Sequence, residues 1–323
     1  MDQVGRRDMR RSLDVDINET QLLHCYPEVL RALLVDQSTK KNLMWGTDEY
    51  QDLGDGYGEF EQITPASITG LSSGVVQPRT LKDHHTKSNR TKGQGEVFTP
   101  TWVCNQQNNL IDAAWFGGQA PFNFERGKSW VTTSEPVPFS NGRSWQAYVE
   151  EPRMEVACGE APYLVSRYDP TTGAYIAVQE RVGFLDRKLR VVRERTRDRS
   201  EWLYWCEQAF KSVYAFEIQG DSLLLARENL LASFAEHLTF AHGGGPSAEE
   251  LLSMAEIISW NLWQMDAFTM QPPGGLPQTG QRSLDFELGF VQKPQMCLIM
   301  DWAKKQAVPF HELVEQSKNN DRI

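Results

Sequence analysis

Four stretches of this chain carry residue types suited to chemistry. The first is Arg153-Met154-Glu155-Val156-Ala157-Cys158-Gly159, a short apolar run ending in an acid, a small residue, a cysteine and a glycine. Pro162 and a new helical pattern follow it. A strand-to-helix turn reads this way where a sheet offers its C-terminal edge to a ligand. Gly159 lets the backbone turn sharply and approach closely. An ordinary strand closing on a glycine turn gives the same pattern. The second stretch, Val213-Tyr214-Ala215-Phe216-Glu217, reads as a buried strand ending in an acid. A carboxylate at that place in an open α/β sheet accepts ribose hydroxyls. The third, Glu256 to Trp263, is a candidate strand followed by Gln264-Met265-Asp266. In the fourth, Phe98 precedes Thr99 and Pro100 after the approach Gly93-Gln94-Gly95. Thr99 suits a helix N-cap and Pro100 the first helical position. Phe98 then either lies on a flat ligand or staples that helix.

These stretches need elements to hold them. Residues 1 to about 40 read as a polar arm and one helix, with Leu22, Leu23, Tyr26, Val29, Leu30, Leu33 and Leu34 at helical spacing. Ile63 to Val76 reads as short strands with Gly and Pro turns. A helix from Thr101 to about Trp115 has Val103, Leu110, Ile111 and Ala114 as its apolar side. Residues 117–150 are loop-rich with room for a strand pair. Val182 to Val192 reads as helical. Leu223, Ala226, Leu230, Leu231 and Phe234 mark a long amphipathic helix behind Glu217. Gly243-Gly244-Gly245-Pro246 breaks it, and another helix begins near Ser247. Gln271-Pro272-Pro273-Gly274 lies in a loop over 270–282. Met296 to Met300 reads as a last strand and His311 to Ser317 as a short helix.

Composition narrows the classes. Ten Trp and fifteen Phe in 323 residues indicate a packed globule with a substantial core. No stretch approaches the ~20 apolar residues of a membrane span. The N-terminal arm, with Arg6, Arg7, Arg10 and Arg11, lacks the apolar core of a signal peptide. The five Cys are scattered and never form a CxxC pair. That predicts reduced thiols in a cytoplasmic setting, with no metal site. The net charge of −10 opposes unaided DNA binding. Two basic clusters run against this balance. Arg79, Lys82, Lys87, Arg90 and Lys92 read as a linker, and Arg181 to Arg199, interleaved with acids, as helical surface pairing. The acids from Asp48 to Glu61 read as a solvated face or a protein contact.

The order of these pieces resembles the adenine-specific (N6) DNA methyltransferases of restriction-modification systems, in the arrangement of modification subunits. The similarity runs from Gly95-Glu96-Val97-Phe98-Thr99-Pro100, through Glu155-Val156-Ala157-Cys158-Gly159-Glu160-Ala161, to Glu217 with Leu225-Ala226-Arg227-Glu228-Asn229-Leu230, and ends at Asp266. It implies an α/β, Rossmann-like S-adenosylmethionine-dependent core with a three-layer α/β/α sheet. An N-terminal extension over 1–92 would precede a methyltransferase-like domain over 93–323, with insertions at about 117–150 and 169–200. The implied cofactor is S-adenosyl-L-methionine. Ala157, Cys158 and Gly159 would border its methionine part, with Glu155 at the same turn. Glu217 would take the ribose hydroxyls and Asp266 the adenine amine. Phe98, from the Phe98-Thr99-Pro100 segment, would pack on the ring. The implied partners are DNA and a separate specificity or restriction subunit supplying grip.

Two departures stand out. Val156, Glu160 and Ala161 replace the family's Pro, Ser and second Gly. Glu160 adds charge there, and Ala161 narrows the backbone's freedom. The family's Asn/Asp-Pro-Pro-aromatic segment, which holds a flipped adenine, has no counterpart. Asn261-Leu262-Trp263 offers an Asn and an aromatic without prolines, so Asn261 and Trp263 are the catalytic candidates. As a polar strand residue and a core residue they would carry no chemistry. Three functions follow: a DNA adenine methyltransferase, a methyltransferase-like module that transfers nothing, or a methyltransferase acting on RNA or protein.

Overall fold

The computed structural model describes residues 16–82, 99–139, 142–274 and 295–320. Phe98, one of the expected cofactor residues, lies outside them, as do most of the first basic window and the N-terminal arginines.

The N-terminal pattern forms two helices, α1 (Glu19–Cys25) and α2 (Pro27–Leu34), where one was expected. Pro27 has no amide to continue α1, so the chain turns at Tyr26 and restarts. The stretch expected as short strands instead forms α3 (Pro65–Ile68), closed by a capping box between Thr64 and Ser67. The acids Asp48, Asp52, Asp55, Glu59 and Glu61 are exposed, as a solvated face requires.

Helix α4 (Thr101–Phe116) spans the expected residues, with Pro100 rather than Thr99 at the cap. Its sides are also reversed. Leu110 is 71 % exposed, and Cys104, Asn105, Asn108, Asn109 and Asp112 are buried. The polar side faces Arg187, which donates to Asp112 Oδ2 at 2.6 Å and to Asn105 and Asn109 at 2.8 Å. A buried guanidinium with three acceptors decides which way the helix faces. The loop-rich stretch holds the strand pair β1 (Asn123–Arg126) and β2 (Ser129–Thr132), which is antiparallel, and then α5 (Trp145–Glu150).

Among the described residues the central sheet has three parallel strands in the order β3 (Arg153–Val156), β4 (Val213–Glu217), β5 (Leu262–Gln264). Helices α6 (Phe184–Arg195) and α7 (Arg199–Lys211) lie in the first crossover. The second holds α8 (Gly220–His242) and α9 (Ala248–Asn261). The molecule is thus a mixed α/β fold around a parallel sheet. Most of the expected strand from Glu256 to Trp263 is the end of α9. Ser247 and Glu250 form a capping box, and Leu251, Met254, Ala255 and Ile258 are buried at helical spacing. Only Leu262 to Gln264 pairs with β4.

Alternate residues of a strand face opposite ways. Val213, Ala215 and Leu262 enter a large core built with α2, α6, α7, α8 and α9. That core also takes Leu43, Trp45, Ile63 and Ile68, so residues 29–76 share it. Phe216 and Trp263 enter a second cluster with Cys297, Ile299 and Phe310. Strands β6 (Leu298–Asp301) and β7 (Gln306–Pro309) and helix α10 (Phe310–Asn320) supply its outer side. Met154 and Val156 share this face on the edge strand β3 and remain exposed.

Helix α8 is buried on nearly every side. Arg227 within it donates to the carbonyls of Leu33, Val35, Ser259 and Leu262. These belong to the ends of α2 and α9, whose last carbonyls lack helical partners. Burial lowers the Arg227 pKa to about 10. The second basic cluster is partly internal: Arg181, Arg187 and Lys188 are buried, Arg190 pairs with Glu194 one turn on, and Arg195 and Arg197 are exposed.

Candidate functional site

The tips of the three parallel strands meet. Beyond β3 the backbone takes left-handed conformations at Ala157 (φ 49°), Gly159 (φ 54°) and Ala161 (φ 61°). Each non-glycine residue there stores about 1–2 kcal/mol of strain. The surroundings hold the turn in place. Cys158 N–H donates to Phe216 O at 3.0 Å, and Ala161 N–H to Cys158 O at 2.8 Å. The amide of Asn229, on α8, donates to Glu160 O at 3.1 Å. The chain thus bends although Ala161 carries a side chain.

Glu217 closes this turn. Its Oε2 accepts the Gly159 N–H at 2.9 Å. Its Oε1 accepts Ile218 N–H at 2.8 Å and Gln219 N–H at 3.2 Å. Burial raises its pKa, while these amide bonds oppose the rise. A carboxylate offers about four acceptor sites, so three amides leave one for a ligand hydroxyl. Glu217 is therefore partly engaged in holding the turn that it would serve.

Glu155 is buried under the same turn, accepting from Tyr163 N–H at 3.3 Å and Leu164 N–H at 3.1 Å. Burial, helped by the Glu217 charge, lifts its pKa to about 8. Burial also pushes the Cys158 thiol well up, which keeps it protonated and unreactive. The Glu160 carboxylate is buried. It accepts from Arg79 N–H and the Tyr168 hydroxyl, both at 2.7 Å. Thr99 and Pro100 reach the same region: Thr99 O accepts the Cys104 thiol, and Thr101 N–H donates to Asp169 at 2.8 Å.

Asp266 lies two residues past the end of β5, and Met265 N–H donates to Glu217 O at 3.0 Å. The Asp266 Oδ1 accepts from Phe268 N–H at 2.7 Å and Thr269 N–H at 3.2 Å. Its other oxygen has no bond among the described residues. Cys158, Gly159, Glu217 and Asp266 therefore share one edge of the sheet.

The catalytic candidates are placed differently. Asn261 ends α9, and its amide donates to Phe210 O at 2.9 Å and Val213 O at 3.0 Å. Its oxygen accepts from the Trp302 indole at 2.8 Å. Trp263 is fully buried beside Phe216 and Phe310, with its indole N–H on Met265 Sδ. Neither side chain has a face free for a substrate.

One participant in this region carries no motif. Residues 43–46 cross the tips of β4 and β5 as a strap. Gln264 accepts from Met44 N–H at 2.8 Å and donates to Met44 O at 2.7 Å and Ile218 O at 2.8 Å. Gly220 N–H donates to Trp45 O at 2.9 Å. A Cβ on Gly220 would sit 1.9 Å from Met44 O, and one on Gly46 2.3 Å from Ile218 O. Tyr50 and Lys82 then bond Asp221 at the start of α8, at 2.6 and 3.0 Å.

Clefts of about 580 and 370 Å³ lie elsewhere, one along β2 and α6 and one between Asp55 and Ser67. Among the described residues no helix is long and apolar enough to cross a membrane, and no group of acids, histidines or cysteines has the arrangement of a metal site. No family model, curated protein or solved structure matches this chain.

Proposed function

We propose that this chain is a methyltransferase-like protein of the DNA adenine-N6 type that binds S-adenosylmethionine at the tips of β3, β4 and β5. On this reading it serves in the cytoplasm as the modification subunit of a restriction-modification or related defence system. A separate specificity or restriction subunit supplies the grip on DNA that a net charge of −10 denies it. The sheet is then part of a Rossmann-like, three-layer core.

The bond from Gly159 N–H to Glu217 carries the proposal. An acid at the end of the second parallel strand reaches the glycine turn of the first, which is where an open α/β sheet takes a nucleoside. Glu217 would accept from the ribose, the backbone of Ala157 to Gly159 would border the methionine part, and Asp266 would accept from the adenine amine. The cofactor would supply an electrophilic methyl group. The protein's part is to orient it and exclude water.

A second reading has its own support. Asn261 and Trp263 are committed to packing, so the described residues offer no group to hold a flipped adenine. On that reading the chain binds cofactor or a partner and transfers nothing. Calorimetric titration with S-adenosylmethionine tests the site, and no binding would remove it. Sequencing of adenine methylation in a host with and without the gene separates the two readings.

A further inference from the structure

We propose that the cleft between β2 and α6 is a docking groove for an extended acidic peptide, which pairs with β2 as an added strand and seats a carboxylate on Arg193. Other residues than those of the strand tips line it, so the inference stands apart from any cofactor there. The groove holds about 580 Å³. Ser129 to Ser134 form one wall, and the turn Val178–Glu180 and α6 form the other.

The register of the hairpin sets which main-chain groups face the groove. Thr133 N–H donates to Phe122 O at 3.0 Å, so these two residues are a hydrogen-bonded pair. Alternation makes Phe124 with Val131, and Arg126 with Ser129, the next such pairs. Trp130 and Thr132 fall between them, and their N–H and C=O groups point away from β1. None of these four groups has a bond among the described residues. Edge strands are commonly blunted by charge or proline. Ser129-Trp130-Val131-Thr132 carries neither. Phe124 and Val131, opposite each other in register, are 54 % and 44 % exposed, which leaves an apolar pair beside the edge for an incoming strand.

Charge selects the occupant. Arg193 lines the groove half-buried, with its guanidinium 4.9 Å over the Phe240 ring. It makes no hydrogen bond or ion pair among the described residues. Burial lowers its pKa, with Glu194 opposing the fall and Arg190 adding to it. The neighbouring groups are engaged already. Arg190 donates to Glu194 at 2.7 Å and to Thr133 O at 2.8 Å, and Glu194 also accepts Val137 N–H at 2.7 Å. Glu180, the other acid lining the groove, is exposed to water. A partly desolvated guanidinium gains most from a carboxylate. A peptide brings that carboxylate together with the main-chain groups that the edge of β2 lacks.

The test uses the full chain and fluorescein-labelled hexapeptides of alternating threonine and valine, read by fluorescence polarisation. One peptide carries a central glutamate and a second carries glutamine in its place. A further pair repeats the glutamate peptide with N-methyl groups on one or the other set of alternate amides. Wild-type protein should prefer glutamate over glutamine about tenfold, and Arg193→Gln should erase that preference. One methylated peptide should lose binding and the other keep it, because only one set of amides faces β2. That comparison needs no variant to fold. Thr132→Pro removes an N–H that bonds nothing within the molecule, and should lose both unmethylated peptides with thermal unfolding unchanged. Wild-type protein that binds no glutamate peptide at about 1 mM overturns the proposal. So does equal affinity for glutamate and glutamine, or unimpaired binding of both methylated peptides. Self-association that Thr132→Pro abolishes, without peptide binding, would make the occupant a second copy of this chain and overturn it as well.

Discussion

The Gly159 amide donates to Glu217 Oε2 at 2.9 Å across the tips of two adjacent parallel strands. One carboxylate thereby joins the left-handed turn after β3 to the entrance of α8. Glu217→Gln should weaken S-adenosylmethionine binding at least tenfold, about 1.4 kcal/mol by calorimetry. The variant should also lose about 1–3 kcal/mol of stability in denaturant titrations, because an amide cannot accept all three backbone N–H groups as well. Full affinity in a folded variant would take Glu217 out of the site.

Asn261 separates a catalytic from a packing role. Its side chain makes two buried bonds and one part-buried bond that tie α9, α7, β4 and Trp302 together. Asn261→Ala should cost about 2–4 kcal/mol, from lost bonds and carbonyls left without donors. Any loss of methylation should follow the loss of folded protein. A variant with wild-type stability and no activity would restore Asn261 as a candidate for chemistry.

The strand tips were legible because a buried apolar run seldom ends in an acid except where a strand reaches the edge of its sheet. Val213 to Glu217 is such a run, and its neighbours follow in chain order. The strap was not legible. Its contacts join Met44 and Trp45 to Ile218, Gly220 and Gln264 through main-chain atoms, and the sequence marks the close approach only by Gly46 and Gly220 among 24 glycines. The segment through Ile257 and Ile258 is helix, not the expected strand, because the capping box before it and the burial of Leu251, Met254, Ala255 and Ile258 at helical spacing outweigh the paired β-branched residues. Helix α4 misled differently. Apolar periodicity finds a core-facing side only when the core is apolar, and here the neighbour is Arg187.

That reversal is itself testable. Leu110→Gln and Ile111→Lys replace exposed side chains on the outer side of α4. Each should change unfolding free energy by less than about 0.5 kcal/mol in urea titrations. A loss of several kcal/mol would mean that this side is covered.

Glu155 predicts a pH dependence. Its pKa of about 8 lies well above the ordinary carboxylate value, so the folded state binds its proton more tightly than the unfolded chain does. The stabilisation is complete below the unfolded pKa, near 4, and is lost as pH rises through about 8. Glu19, also raised to about 8, and Glu228, both buried between α1 and α8, act in the same direction. Wild-type Tm should therefore fall between pH 6 and 9. Glu155→Gln should show a shallower fall and should gain on the wild type towards pH 9. Parallel curves for the two proteins would place the Glu155 pKa outside this window.

The pair Arg187 and Asp112 tests what buried charge contributes here. Both are almost fully buried, and Asp112 also accepts from the Tyr148 hydroxyl. Removing one partner leaves the other as an uncompensated charge, so Arg187→Met should cost about 3–5 kcal/mol. Arg187→Lys should also destabilise, because an ammonium cannot reproduce the planar fork that reaches Asp112, Asn105 and Asn109 together. Removing both charges ends the imbalance. Arg187→Met with Asp112→Leu should therefore lose less stability than the sum of the two single variants, by at least about 1 kcal/mol in a double-mutant cycle. Strict additivity would mean that the two charges do not interact, and that the polar side of α4 is turned inward by its asparagines alone.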